Sequence, residues 1–123
     1  TNYEDIDPFI MYGRGFIPDE IKNIKFLDSD ESFMLGAVEY SQHGDKGTNG
    51  SRGSTKGLSK LGVKITKGHN HTAEIINGCY SVGKSTGKLE YESGASSHSN
   101  THCLQYYNGK RTLITIINGK WKL

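Results

Sequence analysis

Three of the four Asn-Gly dipeptides in this chain, at residues 77–78, 108–109 and 118–119, constrain its fold more than any other feature. Asn-Gly accommodates the two successive positive φ angles of a type I′ turn, which joins antiparallel strands most tightly. Apolar, strand-forming residues flank each of these three. The sequence therefore predicts a hairpin over residues 73–83 and a meander of three strands over residues 102–123.

Two further strands are predicted upstream of the hairpin. The stretch "SFMLGAVEY" (32–40) is rich in apolar residues, and "VKITK" (63–67) alternates so that Val63 and Ile65 share one face. Between them, residues 43–57 contain five glycines and many small polar residues, which predicts a loop.

Helix is scarce in this sequence. A short helix or turn is predicted over residues 54–62, and one helix over residues 17–27, where Pro18 suits the first turn. The Ser/Asn-rich segment 85–100 predicts a long exposed loop. The predicted fold class is α+β, rich in β-structure.

Length and composition indicate one globular domain over residues 1–123. Hydrophobic residues make up 33% of the chain, and 16 glycines bring the apolar share to an ordinary level. No run of 18 apolar residues and no charged-then-apolar leader occurs, so neither a membrane span nor a signal peptide is predicted. Two cysteines give no disulfide framework and favour a reducing, cytoplasmic setting.

Charge is unevenly distributed along the chain. Residues 1–40 hold nine acidic and three basic residues, whereas residues 41–123 hold twelve basic and four acidic ones. The segment 46–67 contains six lysines and arginines and no acidic residue. Clustered cations are typical of phosphate-binding surfaces and also of solvated basic loops, and the sequence leaves both readings open.

Three histidines follow the ends of the two predicted upstream strands. His43 comes after the strand ending near Tyr40, and His69 and His71 come after the strand ending near Lys67. If these strands are parallel neighbours, their outgoing loops converge at one edge of the sheet. Neutral imidazole is a good ligand for Zn, Mn and Fe, so this edge is a candidate metal site. His98, in the Ser/Asn-rich segment, is expected to lie outside it.

The motifs "QHGD" (42–45) and "GHNH" (68–71) resemble the last two motifs of the calcineurin-like metallophosphoesterases. The resemblance implies the C-terminal half of a β-sandwich flanked by few helices, with two divalent metal ions (Mn, Fe or Zn) at the strand ends. By motif, His43 and His69 would ligate one metal ion and His71 the other. These three would be the catalytic residues.

The neighbouring polar residues are assigned supporting roles. Asp45 is a candidate to orient a ligating imidazole by hydrogen bonding. Arg52 and Lys56, in the acid-free basic segment 46–67, are expected to contact substrate phosphates. The expected activity is metal-dependent phosphoester hydrolysis, with nucleic acid as partner and DNA as the expected substrate of a phosphodiesterase or nuclease.

Residues 1–40 lack the Asp-x-His, the bridging Asp and the Gly-Asn-His that the same family carries in its first half. The chain is therefore expected to be the C-terminal part of a longer enzyme and to need an N-terminal half, covalent or separate, for activity. Its glycine-rich insertion and C-terminal ending also resemble phage-encoded members, which implies action in the host cytoplasm.

Three alternatives remain open from the sequence. The chain could be a non-catalytic, β-rich binding or phage assembly domain, with or without one structural zinc ion. A single zinc ion could instead be held by His69, His71, His102 and Cys103. Self-association into a homo-oligomer is also left open.

Overall fold

The computed structural model describes residues 25, 27–28, 31–91 and 93–122. The chain divides into two units, residues 1–31 and 32–123. In the first, an ion pair joins Lys25 Nζ to Glu31 Oε1 at 3.1 Å. Apart from Lys25 and Leu27, the helix predicted over 17–27 lies outside the described residues. No helix in the described part of the chain is long and apolar enough to cross a membrane.

The second unit is rich in β-structure and has little helix. A five-stranded sheet has the order β1-β2-β3-β5-β4, and β6 and β7 form a separate antiparallel hairpin. The strands are β1 (Met34–Leu35), β2 (Val38–Glu39), β3 (Lys64–Lys67), β4 (Glu74–Ile76), β5 (Cys79–Ser81), β6 (Thr101–Gln105) and β7 (Arg111–Thr115). Helix α1 spans Thr55–Ser59, and a 3-10 turn spans Thr48–Gly50. The coarse prediction, α+β and β-rich with few helices, is confirmed.

Strand β3 is the centre of the sheet, with parallel partners on both sides. Val38 of β2 pairs with Lys64, and Ile65 pairs with Cys79 of β5. Strands β2 and β3 are therefore parallel neighbours, which is the condition under which the loops carrying His43 and His69 converge. The connection from β2 to β3 carries the glycine-rich loop and α1, whose Leu58 packs with Ile65 and Cys79 in the core.

The predicted strand over residues 32–40 is wrong in one respect, because the segment forms two short antiparallel strands. Gly36 has a φ of 60° and turns the chain between them. The Tyr40 amide closes this small hairpin by donating to the Phe33 carbonyl at 2.9 Å. The segment still delivers the chain to His43 from a strand that ends at Glu39.

The alternation predicted for β3 is also wrong. Val63 is 49% exposed, whereas Ile65, Thr66 and Lys67 are all buried. A central parallel strand has both faces covered, so the final residues of β3 are buried whichever way they point. Burial of Lys67 becomes important at the candidate site.

The first two Asn-Gly hairpins are confirmed. Asn77 and Gly78 have φ angles of 45° and 82°, the positive pair that a type I′ turn requires. In the β6–β7 turn only Gly109 has positive φ, at 85°, and its amide donates to the Tyr106 carbonyl at 2.9 Å. That pattern is typical of a type I turn followed by a glycine bulge.

The third Asn-Gly also forms a turn, but the third strand of the predicted meander is wrong. Asn118 and Gly119 have φ angles of 50° and 72°. Only one residue pair, Ile117 and Lys120, is bridged beyond the turn in the described chain. The chain therefore makes a tight turn here without continuing as a strand.

Arg111 attaches the β6–β7 hairpin to the main sheet. Its Nη1 donates to the Ile65 carbonyl at 2.6 Å, and its Nη2 donates to the Gly78 carbonyl at 2.7 Å. The guanidinium also lies 3.9 Å from the ring centroid of Tyr80. One half-buried side chain thus joins β7, β3 and the β4–β5 turn.

Candidate metal and phosphate site

The loops that follow β2 and β3 are joined through their backbones. The Gly68 amide donates to the His43 carbonyl at 3.1 Å, and the Gly53 amide donates to the Asp45 carbonyl at 2.7 Å. A Cβ at Gly53 would lie 1.8 Å from the Gly44 carbonyl oxygen, so a side chain cannot be accommodated there. Glycine lets three chain segments meet beside the histidines.

His43 and His69 contact each other through their ring nitrogens. Nε2 of His43 lies 3.1 Å from Nδ1 of His69, and the ring planes are inclined by 76°. Two imidazole nitrogens bound to one metal ion at about 2.1 Å lie about 3.0–3.4 Å apart. The observed separation is that of a hydrogen bond between the two imidazoles, and it also equals the spacing of two neighbouring ligands of one ion.

The backbone of the "GHNH" loop bends sharply at both histidines. His69 and His71 have φ angles of 73° and 59°, in the left-handed region that side-chain-bearing residues seldom adopt. The Asn70 amide donates to the Gly68 carbonyl at 3.0 Å within this bend. Such backbone values cluster at functional sites, and here they let both imidazoles line one groove.

Lys67, the last residue of β3, is hydrogen-bonded to the "GHNH" loop (68–71) that follows it. Its side chain is 2% exposed, and its Nζ donates to Asn70 Oδ1 at 2.9 Å and to the Gly68 carbonyl at 3.2 Å. Burial lowers the pKa of this amine, against the opposing influence of Cys79 and Glu74. A buried cation therefore holds the loop by two hydrogen bonds.

His71 is surrounded by different partners from His69. Its Nδ1 lies 3.0 Å from the Tyr91 hydroxyl oxygen. The His98 ring meets the His71 ring edge to face, with centroids 5.2 Å apart. Within the described chain, Nε2 of His71 makes no hydrogen bond.

An open groove of about 400 Å³ connects these groups. One side carries Arg52, which is exposed and brings a positive charge next to the histidines. The groove is lined by Arg52, Gly53, His69, Asn70, His71, Tyr91 and His98. The guanidinium of Arg52 beside these imidazoles and the Tyr91 hydroxyl can bind an anion.

The other predicted site residues lie further out. Lys56 is exposed on α1 and is absent from the lining of the groove. Asp45 is also exposed, and its carboxylate makes no hydrogen bond to His43 or His69 within the described chain. Its backbone carbonyl, rather than its side chain, contributes to the site by holding Gly53.

Sequence reasoning missed Tyr91 and His98. Both lie in the segment that was expected to be an exposed loop, and His98 was expected to lie outside the site. The only sequence signal was the presence of aromatic and imidazole side chains among serines and glycines.

The alternative single-zinc site of His69, His71, His102 and Cys103 stays a prediction that the described chain does not support. Among the residues that the structure describes, no group of three His, Cys, Asp or Glu side chains could hold a metal ion. Cys103 lies instead on β6, where burial raises the pKa of its thiol and Arg111 and Thr66 are nearby. The three histidines predicted as metal ligands form no such group in that part of the chain either, and of these three only His43 and His69 contact each other directly.

Comparison with known proteins gives a partial match. No family model matches the chain, and no solved structure matches it. Protein A1 of Escherichia phage T5 is 48% identical over 101 residues, which cover 80% of this chain and 18% of the T5 protein. The chain is therefore similar to a segment of a phage protein and spans about a fifth of that protein's length.

Proposed function

We propose that this chain is the C-terminal part of a calcineurin-like, metal-dependent phosphoester hydrolase, with DNA as its favoured substrate. The observation that carries the proposal is the 3.1 Å approach of His43 Nε2 to His69 Nδ1 at the ends of two parallel strands. His71 and Arg52 line the adjoining groove and extend the same surface.

Each side chain has a separate role in this proposal. Two divalent ions (Mn, Fe or Zn), when bound, would supply polarisation of the phosphoryl oxygens and an activated water. His43 Nε2 and His69 Nδ1 would ligate one ion, and His71 Nε2 would ligate the other. Arg52 would hold a non-bridging phosphate oxygen through its guanidinium. The acid-free run of cations from 46 to 67 supports a polyanionic substrate.

The missing ligands would come from the rest of a longer polypeptide. Both outer strands of the five-stranded sheet expose apolar side chains, with Met34 48% and Ile75 52% exposed. Unpaired sheet edges with apolar residues suit further protein packed against them. The T5 relative, of which this chain spans 18%, supports the same proposal. A phage-encoded enzyme of this kind would act in the host cytoplasm.

The test uses the protein encoded by the complete reading frame. Metal content is measured by mass spectrometry, and Mn-dependent hydrolysis is measured on bis-p-nitrophenyl phosphate and on linear DNA. We expect His69→Ala and His71→Ala each to lose metal and to lose hydrolysis of both substrates. The matched control is His102→Ala, which removes an exposed imidazole from β6.

The opposite pattern would refute the hydrolase. If the wild-type protein binds no divalent ion and all three variants behave alike, a non-catalytic binding or phage assembly domain becomes the better account. Hydrolysis of the small diester without hydrolysis of DNA would instead replace DNA by a small phosphorylated substrate.

A further inference from the structure

A second and larger cavity continues the groove described above. It has a volume of about 510 Å³, and its lining includes Lys84, Lys88 and His98. A smaller cavity of about 260 Å³ shares Tyr91 and His98 with the groove, and Ser96 and His98 with the larger cavity. Because His98 lines all three, they form one surface, called the trough below.

Cations stand at both ends of the trough. Arg52 lines one end, and Lys84 and Lys88 line the other. None of the described lining residues is acidic, and Glu90, the exposed neighbour of Tyr91 in the chain, is not among them. Cations spaced along one surface suit the successive phosphates of a polyanion.

Exposed ring and apolar surface lies between and beside these cations. The Tyr91 side chain is 67% exposed, and its ring centroid lies 6.3 Å from that of His98. At the lysine end, Ile117 is also 67% exposed. Unpaired bases stack on such aromatic rings, whereas the bases of a duplex are already stacked on one another.

We propose that the trough binds a single strand of DNA, with phosphates on Arg52 and Lys88 and a base on the ring of Tyr91. A basic groove combined with exposed aromatic rings is the usual design of sites for single-stranded nucleic acid. The inference rests on the proposed function for the choice of DNA, and it adds the form of the strand and its path across the protein.

Backbone hydrogen bonds fix the two ends of the trough to each other. The Ser99 amide donates to the His71 carbonyl at 3.1 Å, and the Lys84 amide donates to the Ser99 carbonyl at 2.8 Å. A Cβ at Gly83 would lie 1.9 Å from the Ser99 carbonyl oxygen, so glycine permits this close approach. Replacing an exposed side chain of the trough should therefore leave its backbone in place.

The test measures binding of fluorescein-labelled oligo(dT) of about 12 nucleotides to the complete protein by fluorescence anisotropy over a range of salt concentrations. The comparison ligand is the duplex of the same strand with oligo(dA). EDTA is present throughout, so neither bound divalent ions nor hydrolysis affects the result. The variants are Tyr91→Ala, Tyr91→Phe and Lys88→Ala. The matched controls are Tyr107→Ala and Lys110→Ala, at exposed positions in the β6–β7 turn.

We expect the wild-type protein to bind oligo(dT) more tightly than the duplex. Tyr91→Ala should weaken binding of oligo(dT) by about fivefold or more. It should leave the slope of log affinity against log salt unchanged, because the ring is uncharged. Lys88→Ala should reduce that slope by about 0.7. Tyr91→Phe keeps the ring and should match wild type, as should both controls.

Three results would overturn the inference: a duplex bound as tightly as oligo(dT), Tyr91→Ala and Lys88→Ala variants that match the controls, or a loss in Tyr91→Phe equal to that in Tyr91→Ala. Each would leave the proposed function standing, because metal content and hydrolysis of the small diester are measured separately. Conversely, preferential binding of oligo(dT) by a protein without metal or hydrolysis would overturn the proposed hydrolase and support the inference.

Discussion

Nε2 of His43 and Nδ1 of His69 lie 3.1 Å apart although the two residues are 26 positions apart in the chain. The contact follows from the parallel pairing of β2 with β3, which brings the two outgoing loops to one edge of the sheet. It predicts that the two imidazoles act as one unit toward a metal ion.

A double-mutant cycle tests whether His43 and His69 bind the same metal ion. His43→Ala and His69→Ala should each lower Mn²⁺ affinity by at least tenfold, because each removes one ligand of the same ion. The double variant should be little worse than either single variant, since the site has already failed. Calorimetric Mn²⁺ titration of the complete protein measures all four forms. Additive losses would mean that the histidines serve different ions.

We predict unequal roles for Arg52 and Lys56, the two cations expected to contact substrate phosphates. Arg52 lines the groove and Lys56 does not, so only Arg52→Ala should weaken DNA binding at low salt. Loss of one phosphate contact should reduce the slope of log affinity against log salt by about one unit. Lys56→Ala is the matched control, with the slope of the wild type. Equal effects of the two variants would indicate a diffuse basic surface.

The buried Lys67 amine is expected to hold the conformation of the loop 68–71. Lys67→Met keeps the length of the side chain but removes the hydrogen bonds to Asn70 Oδ1 and the Gly68 carbonyl. We expect about tenfold weaker Mn²⁺ binding with unchanged secondary structure by circular dichroism. The control is Lys64→Met, an exposed position on the same strand. Unchanged Mn²⁺ binding in Lys67→Met would show that the loop keeps its shape without the amine.

Substitution of Arg111, which does not line the groove, is expected to lower the stability of the fold strongly. Arg111→Met should lower the free energy of unfolding by ~3 kcal/mol, because charged hydrogen bonds to two carbonyls are lost and those carbonyls are left without the partner. Urea unfolding measures the change. Lys110→Met, at an exposed neighbouring position, should change stability by less than ~0.5 kcal/mol. Similar losses in both variants would contradict the anchoring role.

Glu39 predicts a dependence of stability on acid pH. Burial alone would raise the pKa of its carboxyl, but hydrogen bonds from the Ser32 hydroxyl and from the Ser41 and Phe33 amides outweigh it and hold the pKa at about 2. The unfolded value is about 4.3. Because the folded pKa is the lower one, this contribution is complete above the unfolded value and is lost as pH falls towards 2.

Urea unfolding from about pH 6 to pH 2 measures that loss. Glu39→Gln should flatten the curve in this range, while Glu90→Gln, at an exposed loop position, should leave its shape unchanged. A curve with the same slope in Glu39→Gln as in wild type would rule out this carboxylate as its source.

Local turn chemistry could be predicted from the sequence, whereas the parallel pairing of β2 with β3 entered only as a condition that the structure meets. Asn77-Gly78 permits little besides a tight turn, and the histidines follow strand ends that do lie side by side. The segment 32–40 was predicted as one strand because its apolar residues outweighed Gly36, whose positive φ depends on the pairing of the chain with itself.

Tyr91 and His98 could not be assigned in this way. Their proximity to His71 depends on the fold of a long loop, in which backbone bonds such as that from the Ser99 amide to the His71 carbonyl set the path. Neither periodicity nor a short motif encodes such a path. Burial of Lys67 was likewise missed, because alternation describes a strand covered on one face only.

If the proposed metal site is right, the left-handed backbone of His69 and His71 sets a trade-off between stability and ion binding. Holding a residue with a side chain in this region costs about 1 kcal/mol or more, and the folded domain bears that cost before any ion arrives. Glycine at either position would relieve the strain but remove the imidazole. An ion bound there, as proposed, would meet imidazoles that are already oriented, so that little of its binding energy would be spent on ordering the loop.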